Sequence, residues 1–182
     1  MQSQVHRLFF ALRPDAELLR EIERTAQGIK AMNVLRGRWL KPQKFHLTVH
    51  FLGDFSAPDS VITRSKAAAG CVACAPFEFM LDHVISFARR FNPPCVLRCA
   101  PDSERALRAF RSELGTALAA EGLGEHLEPR FAPHLTIAYG DKALVDAIPI
   151  APIRWVAQDF VLMDSFVGQG IHTELARWPL RA

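Results

Sequence analysis

Two short phrases in this chain carry side chains that can do acid–base chemistry: His46-Leu47-Thr48-Val49 and His134-Leu135-Thr136-Ile137. In an extended strand, successive side chains point to opposite faces. Each phrase therefore buries two apolar residues and offers an imidazole beside a hydroxyl on the other face. Imidazole is the side chain whose ordinary titration lies near neutrality, so one neutral and one protonated ring can act as base and acid. Each hydroxyl can donate a hydrogen bond to a non-bridging phosphate oxygen, where charge builds during reaction. Two such strands facing one cleft make an acid–base apparatus for cleaving a phosphate ester, and no metal is required.

A third imidazole, His50, invites a zinc reading, because His46 and His50 are spaced like the histidine pair of a metalloprotease helix. The surroundings are apolar and β-branched, which favours a strand. Four strand residues span about 13 Å, too far for one ion, and no glutamate follows His46. We expect no metal and no cofactor. Alternation along the strand puts His50 on the face of His46, so it is expected to line the cleft.

The elements that must position these residues form a repeat. The chain opens with a strand, about 5–12, followed by a helix from Pro14 with Leu18, Leu19, Ile22, Ala26 and Ile29 on one face. A basic, aromatic connector runs from Arg36 to Lys41, and the first motif strand runs from His46 to Leu52, ended by Gly53-Asp54. A second helix is expected over 57–73, then strands over 77–87 and 95–100 around the turn-rich Arg89-Arg90-Phe91-Asn92-Pro93-Pro94. A third helix opens at Pro101-Asp102. The second motif strand, His134 to Tyr139, ends at Gly140-Asp141, and two strands, 155–166 and 172–178, close the chain. The two motif histidines lie 88 positions apart, and that offset lays Leu8-Phe9 on Val96-Leu97. Strand, helix, motif strand thus occurs twice. We expect one domain over 1–182, built of two lobes related by a pseudo-twofold axis that brings the distant histidines together.

Composition bounds the class. The chain has 182 residues, 49% of them hydrophobic, enough for a real core. No apolar run is long enough to cross a bilayer, and the start shows no secretory pattern; the expectation is a cytoplasmic monomer without a membrane partner. The net charge is +3, a mild bias. Of 22 basic residues 17 are arginine, whose fork suits phosphate oxygens. The four cysteines, Cys71, Cys74, Cys95 and Cys99, lack the flanking glycines of a zinc knuckle. They read as reduced, buried thiols.

With both motifs in view, the chain resembles the two-histidine phosphoesterases, specifically the RNA 2′,3′-cyclic phosphodiesterases also called 2′-5′ RNA ligases. The likeness rests on Arg7-Leu8-Phe9-Phe10-Ala11-Leu12, Phe45-His46-Leu47-Thr48 with Phe51-Leu52-Gly53, Arg130 through Thr136, and the tail from Ser165 through Gly170 to Trp178-Pro179-Leu180. The resemblance implies a bilobal α+β fold, antiparallel sheets lining a central cleft with helices packed outside. It implies hydrolysis of a terminal 2′,3′-cyclic phosphate on RNA to a 2′-phosphate, with 2′-5′ joining as the reverse. By analogy His46 is the general acid and His134 the general base, with Thr48 and Thr136 beside them.

Two positions depart from the family pattern. An arginine often stands three residues after the second threonine; here it is Tyr139, which carries no cation near neutral pH. A tail tyrosine is replaced by His172. Phosphate charge must then be met elsewhere, with Arg130 or Lys142 as candidates. Arg89, Arg90, Arg38, Trp39 and Lys41 are candidates for holding RNA through phosphate contacts and stacking. Two alternatives stay open: action on a small cyclic nucleotide or ADP-ribose cyclic phosphate, and a noncatalytic RNA-binding module of the same fold.

Overall fold

A computed structural model describes residues 4–166 and 170–182. Residues 167–169 of the tail motif lie outside the described residues. Nine strands and three α-helices form the described part: β1 (His6–Leu12), α1 (Ala16–Ala31), β2 (Gly37–Trp39), β3 (Leu47–Phe55), α2 (Asp59–Gly70), β4 (Phe77–Ser86), β5 (Pro94–Cys99), α3 (Glu104–Ala120), β6 (His134–Gly140), β7 (Ile148–Ala157), β8 (Asp159–Phe166) and β9 (Ile171–Pro179).

All pairings are antiparallel, and the strand order is β7-β4-β5-β6-β3-β1-β8-β9, with β2 on β6. The fold is α+β, as expected. The two expected sheets are one hydrogen-bonded sheet, because the halves β7-β4-β5-β6 and β3-β1-β8-β9 join at the single pair Leu47↔Leu135. The two motif strands are thus each other's neighbours at the centre of the molecule.

The helices follow from local chemistry. Asp15 caps α1 by accepting from the backbone N–H of Glu17 and Leu18 at 3.0 and 2.9 Å. Leu18, Ile22, Ala26 and Ile29 of α1 and Leu107, Phe110, Leu114 and Leu118 of α3 recur at helical spacing and are buried. They pack with Leu8, Phe10, Leu12, Leu47, Leu97 and Leu135 of the strands in one core. Burying each such side chain stabilises the fold by about 1.5–3 kcal/mol. A separate small cluster, Phe9, Ala11, Val161 and Met163 with Phe51 against it, covers the other face of the sheet. The alternation along β1 therefore assigns its faces. Phe10 and Leu12 face the main core, and Phe9 and Ala11 face the other side.

Several expectations need correction. Strand β3 starts at Leu47 and passes through Gly53-Asp54 to Phe55. Gly53 adopts φ +133, which only glycine takes readily, and stays paired with Leu8. Asp54 ties that end to β1 by a two-pronged bond from Arg7, at 2.8 and 2.7 Å. Helix α2 is shorter than 57–73, entering after Pro58 and stopping at Gly70. The strand expected over 155–166 is two strands broken at Gln158; β7 pairs with β4 and β8 with β1, at opposite sides of the sheet. The connector forms β2. Of the thiols, Cys95 and Cys99 are buried, but Cys71 is exposed and Cys74 half-exposed. Desolvation pushes Cys95 up to about 11 and Cys99, first through burial and then through Glu104, up to about 12. Both stay protonated thiols at neutral pH.

The repeat itself has a different offset in its first strand. Leu12 pairs with Leu47 and Ala11 with Thr48; Leu97 pairs with Leu135 and Val96 with Thr136. Leu12 therefore corresponds to Leu97, not Leu8-Phe9 to Val96-Leu97. The segments between first strand and motif differ in length, so one offset cannot serve both strands.

Candidate active site

The single pair Leu47↔Leu135 sets the geometry of the centre. In that antiparallel register the flanking positions are His46 beside Thr136 and Thr48 beside His134, so each imidazole neighbours the hydroxyl of the other motif. The two rings are close enough that a proton on His134 disfavours one on His46.

Each ring is held in the same way. The Nδ1–H of His46 donates to the carbonyl of Lys44, and that of His134 to the carbonyl of Ala132, both at 2.7 Å. A carbonyl only accepts, so the proton sits on Nδ1 and Nε2 is left to exchange a proton with substrate. Aromatic contacts fix the ring planes. Phe9 lies tilted against His46 at 5.0 Å, and Phe87 meets His134 edge-on at 4.8 Å.

Both motif strands carry a bulge at the same place. Phe10 pairs with His50 and Ala11 with Thr48, which leaves Val49 unpaired; Cys95 pairs with Ala138 and Val96 with Thr136, which leaves Ile137 unpaired. An extra residue inverts the alternation beyond it. Tyr139 and Phe51, three residues past each threonine, are thereby returned to the cleft face, where plain alternation would turn them away. The same inversion corrects the placement of His50. It opposes Phe10 on the core side, is 4% exposed, and donates Nε2–H to the carbonyl of Arg111 on α3 at 2.8 Å. Burial, with Arg111 nearby, pushes it down to about 4. His50 supports α3 from beneath β3, opposite Phe10 rather than on the face of His46, yet it is part of the wall of the groove that holds Thr48 and His134.

The electrostatics disfavour a proton on either motif ring in the free protein. Burial pushes His46 down to about 4, with His172, His134 and Arg13 adding repulsion against the pull of the Lys44 carbonyl. His134 is also lowered, by burial first and then by Arg98. His172 lies edge-on to His46 at 5.8 Å and is itself lowered by burial, Lys44 and Arg13. An anion in the cleft offsets these costs and draws a proton onto an imidazole.

Two grooves hold most of the other candidate residues, and only the second has motif residues in its lining. The first, about 560 Å³, is lined by Arg38, Arg89, Arg90, Phe91 and Tyr139 among others. Arg38 lies over the Tyr139 ring at 5.1 Å and Arg90 over Phe91 at 5.1 Å; Phe91 is 69% exposed. The second, about 470 Å³, has Thr48 and His134 in its wall with Arg111, Arg130 and Phe131. The structure thus gathers Tyr139, Arg38, Arg89 and Arg90 in one groove and puts Arg130 in the other. Trp39, opposite Ala138, leans half-buried on the core and is outside the first groove's lining. Lys142 faces a separate hollow with Asn33 and Leu35, so it does not serve the histidine pair. Lys41 is exposed just before the turn that leads into β3. Sequence reasoning passed over Arg13, Lys44 and Arg98. A signal for two of them was present, since Leu-Arg precedes Pro-Asp in both repeats: Leu12-Arg13-Pro14-Asp15 and Leu97-Arg98 before Pro101-Asp102.

Among the described residues, no group of three or more His, Cys, Asp or Glu is arranged to hold a metal ion. No helix there is long and apolar enough to cross a membrane.

Comparison with known proteins gives the family and the fold. The model of the 2′-5′ RNA ligase superfamily matches residues 14–165. The chain belongs to that superfamily. A curated relative, an RNA 2′,3′-cyclic phosphodiesterase of Geobacillus stearothermophilus, is 30% identical over 100 residues, 55% of this chain and 31% of the relative. The match therefore spans under a third of that protein's length. Among solved structures, E. coli LigT complexed with 3′-AMP superposes with a TM-score of 0.74 at 25% identity, covering 98% of this chain and 99% of LigT. The protein TT0787 of Thermus thermophilus gives 0.75 at 19% identity, covering 97% and 98%; that likeness is one of fold.

Proposed function

We propose that this member of the superfamily hydrolyses the 2′,3′-cyclic phosphate at the end of an RNA strand to a 2′-phosphate, without a metal, and that a 5′-hydroxyl in place of water gives 2′-5′ joining at the same site. The observation that carries the reading is the Leu47↔Leu135 pair, which puts two identically tethered imidazoles at diagonal positions across the meeting of two strands. The curated relative's activity lends support.

In the reaction, Nε2 of His134 removes a proton from water as its oxygen bonds to phosphorus. The bond from phosphorus to the 3′ oxygen breaks, and His46 delivers a proton to that oxygen. Thr48 and Thr136 donate to the non-bridging oxygens. For joining, a 5′-hydroxyl replaces water and the same two proton transfers occur. His46 begins neutral, so its proton must arrive with the substrate's negative charge. The phosphate is thus both substrate and the agent that charges the acid.

The groove of Arg38, Arg89, Arg90, Phe91 and Tyr139 favours an RNA strand over a lone nucleotide, because it extends along β6 beyond the second motif with cations and exposed aromatic surface. The test is incubation with a cyclic-phosphate-ended oligonucleotide in EDTA, with product mapping, beside the corresponding mononucleotide. A 2′-phosphate formed faster on the oligonucleotide is the expected result. Faster mononucleotide turnover points to the small-molecule reading, and binding without turnover to a noncatalytic module.

A further inference from the structure

We propose that Arg13 and Arg98 are a matched pair of phosphate-binding cations, one beside each motif histidine. The inference rests on reading the cleft as a phosphoester site. It begins from the strand register. Arg98 pairs directly with His134 across β5 and β6. Leu12 pairs with Leu47 at the ends of β1 and β3; Arg13 and His46 are the next residues outward, near enough that the guanidinium opposes a proton on the ring. The two arginines therefore hold the same place in the two halves. Alternation gives their face. Ala11 and Val96 oppose the two threonines on the cleft side, and Leu12 and Leu97 are wholly buried in the core; alternation returns Arg98 to the cleft side, and Arg13, just past the end of β1, stands at the matching position.

Each guanidinium is anchored by one carboxylate. Arg13 lies 3.5 Å from Glu174 and donates to the carbonyl of Gln43 at 3.2 Å; Arg98 donates to Glu104 at 3.3 Å and lies over the same Phe87 ring that touches His134. Glu174 also holds Arg177, and Glu104 also holds Arg108, so each carboxylate is shared between two cations and cannot cancel both. A guanidinium has five N–H donors, so both arginines keep donors for a substrate oxygen. The repulsion that Arg13 exerts on a His46 proton, and Arg98 on a His134 proton, is consistent with charges that face the cleft.

The chemistry suits the placement. A cyclic phosphodiester carries one negative charge on two non-bridging oxygens, and a second charge builds as the nucleophile adds. One fork on each side meets both oxygens and binds more strongly as charge accumulates. With Tyr139 uncharged, this pair supplies a fixed positive charge next to each of the two histidines.

The test is calorimetric titration of the full chain with inorganic phosphate, together with steady-state turnover, for the wild type and for R13A, R98A, R13K, R98K, E174Q and E104Q. Each alanine variant is expected to bind phosphate about 10–100-fold more weakly, and each lysine variant to recover part of the loss. E174Q and E104Q, which free the cation from its carboxylate, are expected to bind phosphate at least as tightly as wild type. Phosphate binding within twofold of wild type in both R13A and R98A overturns the pair. So does a wild type that binds no phosphate, or parallel losses in the alanine and glutamine variants, since the arginines would then act only as structural partners. If R98A does not fold, R98K and R13A decide. A wild type that binds phosphate through these arginines but turns over no cyclic-phosphate end sinks the proposed function and leaves the pair standing.

Discussion

The two motif strands share a plan and differ in their supports. Both have a histidine tied to the carbonyl two residues upstream, a threonine, and a bulge at the fourth residue. A bulge leaves a carbonyl out of the ladder, and the halves meet that need differently. The Ile137 carbonyl accepts from the backbone N–H of Leu40 at 2.9 Å, just past β2. The Val49 carbonyl accepts from Nε of Arg111 at 3.2 Å, and the same guanidinium also donates to the Glu128 carbonyl. One half uses backbone; the other uses a side chain from α3. Beyond the bulge stand Ala138 in one half and His50 in the other, and on the cleft face Tyr139 and Phe51. What the reaction needs is repeated. The surroundings differ, and the polar groove with Tyr139 lies on the second half.

The largest effects test the shared plan. H46A and H134A are each expected to lower turnover about 10²–10⁴-fold, measured on a cyclic-phosphate-ended oligonucleotide. Retained activity in either breaks the equivalence of the halves. The shapes of the pH profiles sharpen it: loss of the base removes the acidic limb, and loss of the acid removes the basic limb. T48V and T136V are expected to cost about 10²-fold each, read in kcat more than in KM.

Smaller effects test the unlike supports. R111M removes the donor from the Val49 carbonyl, and an unmet buried carbonyl costs about 1–3 kcal/mol of stability, measured by urea unfolding. His50 gives a pH signature confined to the first half. Its folded value, about 4, lies below the ordinary 6.5, so the unfolded chain binds more protons between those values. Its contribution is complete above pH 6.5 and is lost as pH falls toward 4. The loss amounts to about 3 kcal/mol. H50Q, which keeps a donor for the Arg111 carbonyl, is expected to reduce the slope of stability across that window, the remainder being carried by His46, His134 and His172, which are lowered as well; an unchanged slope shows that His50 carries no part of it.

The sequence made the candidate centre legible because both motifs combine a period-two pattern with matching polar pairs. Leu47 and Leu135 had to be buried, so His46, Thr48, His134 and Thr136 had to face away. The helices were legible from apolar residues three to four apart, Leu18 to Ile29 and Leu107 to Leu118. The bulges at Val49 and Ile137 were not. A bulged valine looks like any strand valine, yet it turned His50 from the cleft to the core, and the matching bulge at Ile137 brought Tyr139 into the groove. The break at Gln158 was hidden because both flanking segments are apolar strands. Arg13 and Arg98 were missed because a single offset of 88 aligned the motifs but not the strands that carry them.

The most direct test follows both imidazoles while phosphate is added. Nitrogen-15 NMR of His46 and His134 should show the Nε2 signals of both rings shifting together, with one midpoint and one-to-one stoichiometry. Movement of one ring alone, or of the two at different midpoints, would contradict the convergence of both histidines on a single phosphorus.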